Sequence, residues 1–281
     1  RCLDSIVPQL NNKVEVILVN DGSTDNSKDI ICDYIDHYNQ FRLYDKPNEG
    51  VSAARNIGLK VASGKYVTFL DYMRKIIENI HKMEQDELDL MIFGFYRKVG
   101  ENYRVNLPDA KGNIIKEIFT QKYNAPWNKI FKKSLIDAYE LEFPVSMKTS
   151  EDFLFLLDYV QNTCKIGVAD ECCIYNYCDN PCGAVNNTKE QYLIDTIKIY
   201  HKIQAMMKNH SISYINEIEN SIMERYYYIV YNLLRMGDNK KELRSILYTL
   251  NFDLKQMLNL DRKNKLKRFL VEHQLFSIIE R

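Results

Sequence analysis

The stretch Val14-Glu15-Val16-Ile17-Leu18-Val19 runs directly into the turn residues Asn20-Asp21-Gly22-Ser23. A short, nearly continuous apolar run that ends abruptly in turn residues is typical of a strand buried in a parallel sheet. We therefore predict a buried strand here, with Asp21 at its carboxyl end. Ligands of open parallel sheets bind outside the carboxyl ends of the strands, so Asp21 lies where a ligand would be expected.

The alternation of strands and helices continues beyond this turn. Short apolar strands are predicted at 41–44, 66–70 and 88–95, and helices at 51–61, 73–83 and 151–160. Strand and helix alternating within about sixty residues indicate an α/β fold with a mainly parallel sheet. Asp71 directly follows the strand at 66–70 and is a second acid at a strand end. From residue 100 to 144, breaks at Gly, Pro and Asn leave no clear pattern.

The last third of the chain has a different pattern. Apolar residues step by three and four beyond residue 188, which predicts helices packed through one apolar stripe. We therefore predict an α/β domain over 1–185 and a helical region over 186–281. The segment Lys240–Arg281 contains ten Lys and Arg residues but only five Asp and Glu residues. This segment is either a solvated basic surface or a contact with an anionic membrane, and the helices could also pair two subunits.

Composition narrows the class of protein. Lys plus Arg equals Asp plus Glu at 38 each, so charge does not indicate a nucleic-acid partner. No apolar run reaches the roughly 20 residues that span a bilayer. The seven cysteines form an odd, scattered set, which favours a reducing compartment. The cluster from Cys172 to Cys182 lacks paired C-x₂-C spacing, so buried thiols are a better interpretation than zinc.

Five motifs occur in order along the first 180 residues. They are Val19-Asn20-Asp21-Gly22-Ser23-Thr24-Asp25, the run from Asn48 to Gly58, the run from Gly64 to Asp71, Ala125-Pro126-Trp127-Asn128-Lys129-Ile130-Phe131-Lys132, and Ser150-Glu151-Asp152-Phe153. Together they closely resemble glycosyltransferase family 2, which has the GT-A fold and includes many bacterial enzymes of cell-surface polysaccharides. The family's first strand is expected to precede Arg1.

The resemblance implies a role for each matching residue. Asp21 would contact the uracil of a UDP-sugar, Arg55 would support the nucleotide pocket, and Trp127 would wall the sugar site. Asp152 matches the catalytic base, and Glu151 would fix its position. Asp71 matches the first acid of the family's Asp-x-Asp element, which holds Mn²⁺ or Mg²⁺ on the diphosphate.

The resemblance therefore implies a metal-dependent, inverting hexosyltransferase in the bacterial cytoplasm, either free or peripheral on the inner face of the membrane. It would move a hexose or N-acetylhexosamine from a UDP-sugar to a hydroxyl of a glycan acceptor, either free or lipid-linked, in capsule or other surface polysaccharide synthesis. General-base removal of the hydroxyl proton and metal stabilisation of the departing diphosphate would together suffice for this reaction.

One motif departs from the family. Tyr72-Met73-Arg74 follows Asp71 where further acids belong. Either a short loop is absent from the sequence at this point, which we favour because the surroundings of Asp152 are intact, or the chain is a degenerate binding module for glycans or nucleotides. A Rossmann dehydrogenase fits the pattern at fold level only, because no G-x-G-x-x-G follows the first strand.

Overall fold

The computed structural model describes twelve stretches of the chain. These are residues 2–70, 76–99, 102–108, 114–120, 123–163, 165–169, 175–177, 195–196, 198–203, 205–206, 215–236 and 260–273. Contacts within the chain divide it into two compact units. Unit 1 comprises Arg1–Ile114, Tyr123–Met147 and Glu151–Pro181, and unit 2 comprises Ile115–Lys122, Lys148–Ser150 and Cys182–Arg281.

The strands found among the described residues all belong to unit 1. They are β1 (Val16–Asp21), β2 (Phe41–Lys46), β3 (Tyr66–Val67), β4 (Leu90–Ile92), β5 (Phe95–Val99), β6 (Asn102–Asn106), β7 (Lys129–Lys132), β8 (Ile166–Val168) and β9 (Tyr175–Tyr177). They form three sheets, ordered β1-β2, β3-β7-β4-β8 and β6-β5-β9. Of the six described pairings, β1-β2, β4-β8 and β5-β9 are parallel, and β3-β7, β4-β7 and β5-β6 are antiparallel.

The helices alternate with these strands, and the elements described after β9 are all helices. They are α1 (Cys2–Ile6), α2 (Ser27–His37), α3 (Val51–Val61), α4 (Ile76–Gln85), α5 (Ile114–Phe119), α6 (Lys133–Ala138), α7 (Glu151–Gln161), α8 (Ile215–Met236) and α9 (Arg262–Glu272). Short 3₁₀ turns occur at Val7–Gln9 and Pro126–Asn128. The predicted α/β class is confirmed, and the predicted helix at 51–61 is observed with the same bounds.

The core of unit 1 lies against the central strand β4. Leu90, Met91 and Ile92 are all fully buried, and Met83 of α4 and Ile130 of β7 pack in the same core. Removing an apolar side chain of this size from water contributes about 1.5–3 kcal/mol. The continuous apolar sequence of β4 is therefore explained by burial of both faces of the strand.

Two predicted strands are shorter in the structure because side chains replace backbone partners. The strand predicted at 66–70 ends at Val67, after which the Thr68 hydroxyl donates to the carbonyl of Lys129 (2.8 Å). The strand predicted at 88–95 is interrupted after Ile92. There the Asn128 side-chain amide donates to the carbonyl of Phe93 (3.1 Å), and β5 begins in another sheet at Phe95.

Unit 2 is helical in its described part, as the stepped apolar pattern predicts. Ile218, Ile222 and Tyr226 of α8 are buried, and α8 packs against α9. The N-terminus of α9 is capped by Asp261, whose carboxylate accepts from the backbone N–H of Asn264 (2.8 Å). The predicted boundary at residue 185 stays a prediction, because residues 178–194 lie outside the described part.

Two further predictions meet the limits of the described residues. The cysteines from Cys172 to Cys182 lie outside them, whereas Cys2 and Cys32 are described, with Cys2 partly buried and Cys32 exposed. Within the described residues, the helices are all too short or too polar to span a bilayer.

Candidate active site

The Asp21 carboxylate, at the end of β1, organises the loop that leads into α3. Its Oδ1 accepts from the Lys46 ammonium (2.6 Å) and the backbone N–H of Glu49 (3.0 Å), and its Oδ2 accepts from the N–H of Gly50 (2.8 Å). Burial acts to raise the pKa of Asp21, but these hydrogen bonds and the Lys46 charge hold it below its usual value. The carboxylate is therefore ionised and fixed at the strand end.

Two glycines permit this geometry. Gly22 and Gly50 both have positive φ, at 70° and 93°. A Cβ on Gly22 would lie 2.7 Å from the backbone nitrogen of Asn48, so a side chain there would collide with the loop that Asp21 holds. Only glycine adopts such φ values without strain. The turn Asn20-Asp21-Gly22 thus brings β1 and the 46–50 loop into close contact.

Helix α3 connects this loop to the acidic pair that begins α7. Gly50 is the N-cap of α3, and Arg55 lies one turn further along the helix. The Arg55 guanidinium forms an ion pair with the Glu151 carboxylate, with Nη1 2.8 Å from Oε1. It also lies over the ring of Phe143, 5.0 Å from the centroid. Both charged side chains are mostly buried, at 22% and 13% exposure.

Asn56 fixes the same helix to the segment beneath it. Its side-chain amide donates to the carbonyl of Phe143 (2.8 Å), and its side-chain oxygen accepts from the N–H of Phe143 (2.7 Å). The Phe143 ring stacks on Phe155 of α7 at 4.1 Å and 9°. This paired hydrogen bond places the aromatic surface under Arg55 and thereby supports the Arg55–Glu151 ion pair.

Among the described acids, Asp152 has the pKa that departs most from its ordinary value. Burial first, and then the neighbouring Glu151 carboxylate, raise the pKa of Asp152 to about 6, against the lowering effect of Arg55 and Lys129. The residue is only partly buried, so it keeps contact with solvent at the start of α7. A carboxylate with a raised pKa is a stronger base than a free one, yet stays ionised at neutral pH.

The turn Pro126–Asn128 lies next to α7, which it contacts. Trp127 in this turn is partly buried, and its ring meets Phe95 edge-on with centroids 5.0 Å apart. Lys129, the next residue but one, is fully buried, and its ammonium donates to the carbonyl of Ala125 (2.5 Å) and the side-chain oxygen of Asn128 (2.7 Å).

The structure thus connects Asp21 to Glu151 through the 46–50 loop and α3, and it places Arg55 on the acidic pair. Lys129 lies within the motif Ala125–Lys132, but the motif alone does not indicate a role for it. The signal in the sequence is a charged residue directly before the apolar stretch Ile130-Phe131. A lysine at such a position is almost never fully buried unless it has partners, so its burial would indicate a specific interaction. Phe143 and Asn56 carried no comparable signal, since their partnership joins segments 87 residues apart.

Asp71, the predicted metal ligand, lies outside the described residues. Among the residues that are described, no three His, Cys, Asp or Glu come together as a candidate cation site. The chain next to Asp71 supplies no second acid in Tyr72-Met73-Arg74. The described residues therefore do not make up a complete metal site, and no step below is assigned to a metal.

Comparison with known proteins defines the class to which this geometry belongs. The structure is similar to that of S. aureus TarS 1–349 in complex with UDP-GlcNAc, with a TM-score of 0.69 and 19% sequence identity. The match covers 99% of this chain and 84% of the TarS chain. The fold is therefore the GT-A fold of glycosyltransferases, as predicted.

The sequence comparison agrees with this fold. Residues 1–139, just under half of the chain, match the family model for glycosyl transferase family 2. It is 32% identical over 157 residues to EpsH of Bacillus subtilis (strain 168), named as a glycosyltransferase, covering 51% of this chain and 46% of EpsH.

A second relative is the poly(ribitol-phosphate) beta-N-acetylglucosaminyltransferase TarP of Staphylococcus aureus (strain N315). It is 27% identical over 226 residues, covering 72% of this chain and 67% of TarP. The chain spans about half the length of the curated relatives it matches first, at 46% and 57%.

Proposed function

We propose that this protein is an inverting glycosyltransferase of surface polysaccharide synthesis that moves a hexose or N-acetylhexosamine from a UDP-sugar to a hydroxyl group of a glycan. The observation that carries the proposal is the partly buried Asp152, whose pKa is raised to about 6 beside an arginine-paired glutamate. Relatives in the same family and the UDP-GlcNAc complex of TarS support the donor class.

The reaction is a single displacement at C1 of the donor sugar. The acceptor hydroxyl oxygen bonds to C1 from the face opposite the diphosphate, the bond between C1 and the diphosphate oxygen breaks, and UDP leaves with the electron pair. Asp152 takes the hydroxyl proton as the new bond forms, which makes the oxygen a better nucleophile. Arg55 pairs with Glu151, and the charges of both residues act on Asp152. One displacement inverts the anomeric centre.

The nucleotide half of the site is the loop around Asp21. Its backbone and carboxylate lie at the carboxyl end of β1, where ligands of parallel sheets bind. In this proposal, Asp21 faces the uracil while Trp127 walls the sugar. The divalent cation predicted at Asp71 is assigned no step in this reaction, and the Mn²⁺, Mg²⁺ and EDTA arms of the assay below test whether transfer depends on it.

The decisive experiment is transfer from radiolabelled UDP-sugars. UDP-Glc, UDP-Gal, UDP-GlcNAc and UDP-GalNAc are each tested with a mixture of glycan acceptors, with Mn²⁺, with Mg²⁺ and with EDTA. Asp152→Asn is expected to reduce transfer at least about 10³-fold while UDP binding by calorimetry is unchanged, because the isosteric amide cannot accept the proton. Unchanged transfer by this variant would refute the base assignment.

A non-catalytic binding module is the alternative, and the missing acids after Asp71 are the observation that favours it. The same assay separates the two functions. A module binds UDP or glycan without turnover of any donor, and its Asp152→Asn variant binds as the wild type does.

We also propose that α9 contacts an anionic phospholipid surface. Leu266 and Phe269 are 59% and 48% exposed on this helix. Arg262 and Lys265 are exposed beside them. Exposed apolar side chains flanked by basic ones match the charge and polarity of a lipid interface. Such a contact would place the enzyme near lipid-linked acceptors at the inner face of the membrane.

A further inference from the structure

Lys129 is an unusual residue for the interior of unit 1. It is the first residue of β7, pairs with Ile92 of the central strand, and has no exposed surface. Burying an ammonium costs several kcal/mol unless its charge is compensated, whereas a methionine would fill a similar volume without that cost. The presence of a charge at this position therefore calls for a compensating interaction.

Its hydrogen bonds explain part of the arrangement. The ammonium donates to the carbonyl of Ala125 and to the side-chain oxygen of Asn128, so it ties the two ends of the turn that carries Trp127. The Asn128 amide in turn donates to the carbonyl of Phe93. These acceptors are neutral, and an uncharged donor would serve them. Hydrogen bonding alone does not require a charge.

The compensating charge is that of Asp152. Burial lowers the pKa of Lys129 to about 7, and the Asp152 carboxylate is the group that acts against this effect. Reciprocally, Lys129 is among the groups that lower the pKa of Asp152. The contact between the Pro126–Asn128 turn and α7 brings the two charges into the same region.

We propose that Lys129 is a positioning residue for the transfer reaction: its buried ammonium holds the Trp127 turn against α7 and keeps the Asp152 carboxylate ionised until the acceptor hydroxyl is bound. The proposal rests on the proposed function of Asp152 as the base. Once Asp152 has taken the proton, the ammonium loses its compensating charge. This favours release of the proton from Asp152 to solvent after the products leave.

The test compares two substitutions that remove the charge. Lys129→Gln keeps a hydrogen-bond donor, whereas Lys129→Met keeps neither donor nor charge. Both are expected to move the acidic limb of the pH profile of kcat about one unit higher. In each variant, kcat at pH 6 should then be roughly tenfold lower than kcat of the same variant at pH 8. Asn128→Ala, which removes one acceptor and keeps the charge, serves as the control whose acidic limb stays in place. An unshifted limb in both Lys129 variants, with only a lower Tm, would show a purely structural role and overturn the proposal.

A second measurement uses the wild-type residue at position 129. In protein carrying ¹³Cε-lysine, one lysine resonance is expected to titrate near neutral pH, and in Asp152→Asn its midpoint moves lower because the carboxylate is gone. Absence of such a resonance, or a midpoint that Asp152→Asn leaves in place, overturns the coupling. This titration requires no turnover, so failure of the proposed function (no transfer by the wild type) is distinguishable from failure of the Lys129 proposal.

Discussion

Arg55 and Glu151 form a mostly buried ion pair between the middle of α3 and the first residue of α7, with 2.8 Å between Nη1 and Oε1. The pair joins positions 96 residues apart in sequence. It lies between the loop held by Asp21 and the carboxylate of Asp152. Its strength therefore determines how firmly the nucleotide half and the acidic half of the candidate site are connected.

A double-mutant cycle measures that strength. Arg55→Met, Glu151→Gln and their combination are expected to give a coupling energy of about 1–3 kcal/mol in urea unfolding, because both charges are largely removed from water. The matched control is Lys165–Glu87, which has the same 2.8 Å separation but side chains that are 53% and 79% exposed. Its cycle is expected to give about 0.2–1 kcal/mol. Equal coupling in the two cycles would contradict the importance assigned to burial.

The pH dependence of transfer follows from Asp152. Since a base must be unprotonated, and burial and Glu151 raise the pKa of Asp152 to about 6, kcat is expected to fall as pH decreases through about 6. Glu151→Gln removes a neighbouring negative charge and is expected to move this midpoint lower. A midpoint near pH 4 in the wild type would show that Asp152 is not the titrating base.

The same raised pKa affects stability in a defined direction. A carboxyl group whose pKa is higher in the folded than in the unfolded state stabilises the fold below the unfolded pKa and loses that contribution as pH rises through the folded value. The stability of Asp152→Asn relative to the wild type is therefore expected to increase between pH 4 and pH 8. Chemical unfolding of both proteins across this range checks the sign. A constant difference would contradict it.

The glycine in the β1 turn gives a test of backbone geometry. Gly22→Ala combines a positive φ with a Cβ 2.7 Å from the nitrogen of Asn48, so a loss of about 1–3 kcal/mol in unfolding free energy and weaker UDP binding are expected. Gly58→Ala is the matched control. Gly58 lies within α3, and the nearest atom to an added Cβ is Val19 Cγ2 at 4.0 Å. That variant is expected to gain about 0.5–1 kcal/mol.

Membrane contact by α9 is tested by sedimentation with vesicles. Two double variants are expected to bind phosphatidylglycerol vesicles more weakly. One removes the apolar side chains (Leu266→Ser with Phe269→Ser). The other removes the charges (Arg262→Gln with Lys265→Gln) and should lose about 1 kcal/mol of binding free energy for each charge. Val145→Ser with Tyr139→Ser removes other exposed apolar side chains and should leave binding intact. If the wild type ignores these vesicles but dimerises in a manner sensitive to Leu266 and Phe269, a second copy of the chain covers this face instead.

The sequence was informative where a structural signal is local. Helix α3 was predicted to the residue because its ends are marked by Gly50 before it and Ser63-Gly64 after it. The acidic pair of α7 was found because Glu151 and Asp152 are adjacent in a recognisable motif. A local pattern also predicts the full burial of β4, whose apolar run is continuous. Strand β1 is less buried than its apolar run predicts, because Val16 and Asn20 are buried and its other residues are only partly buried.

Features that depend on distant partners could not be predicted in this way. Strand β7 inserts antiparallel between β3 and β4, although no element was predicted between residues 100 and 144. The residue pattern of a four-residue strand is too short to predict which strands pair with it. The connection of Arg55 to Glu151 likewise depends on the packing of α3 against segments nearly a hundred residues away.

The hydrogen bonds that Asp21 accepts from Lys46, Glu49 and Gly50 have a consequence for affinity. A loop that is ordered by the protein's own groups has already lost its conformational freedom during folding, so a nucleotide that docks there need not supply that ordering entropy again. Binding of a nucleotide to this preorganised loop is expected to proceed with little rearrangement of the backbone. Discrimination among nucleotides would then depend on how well each base fits a fixed surface.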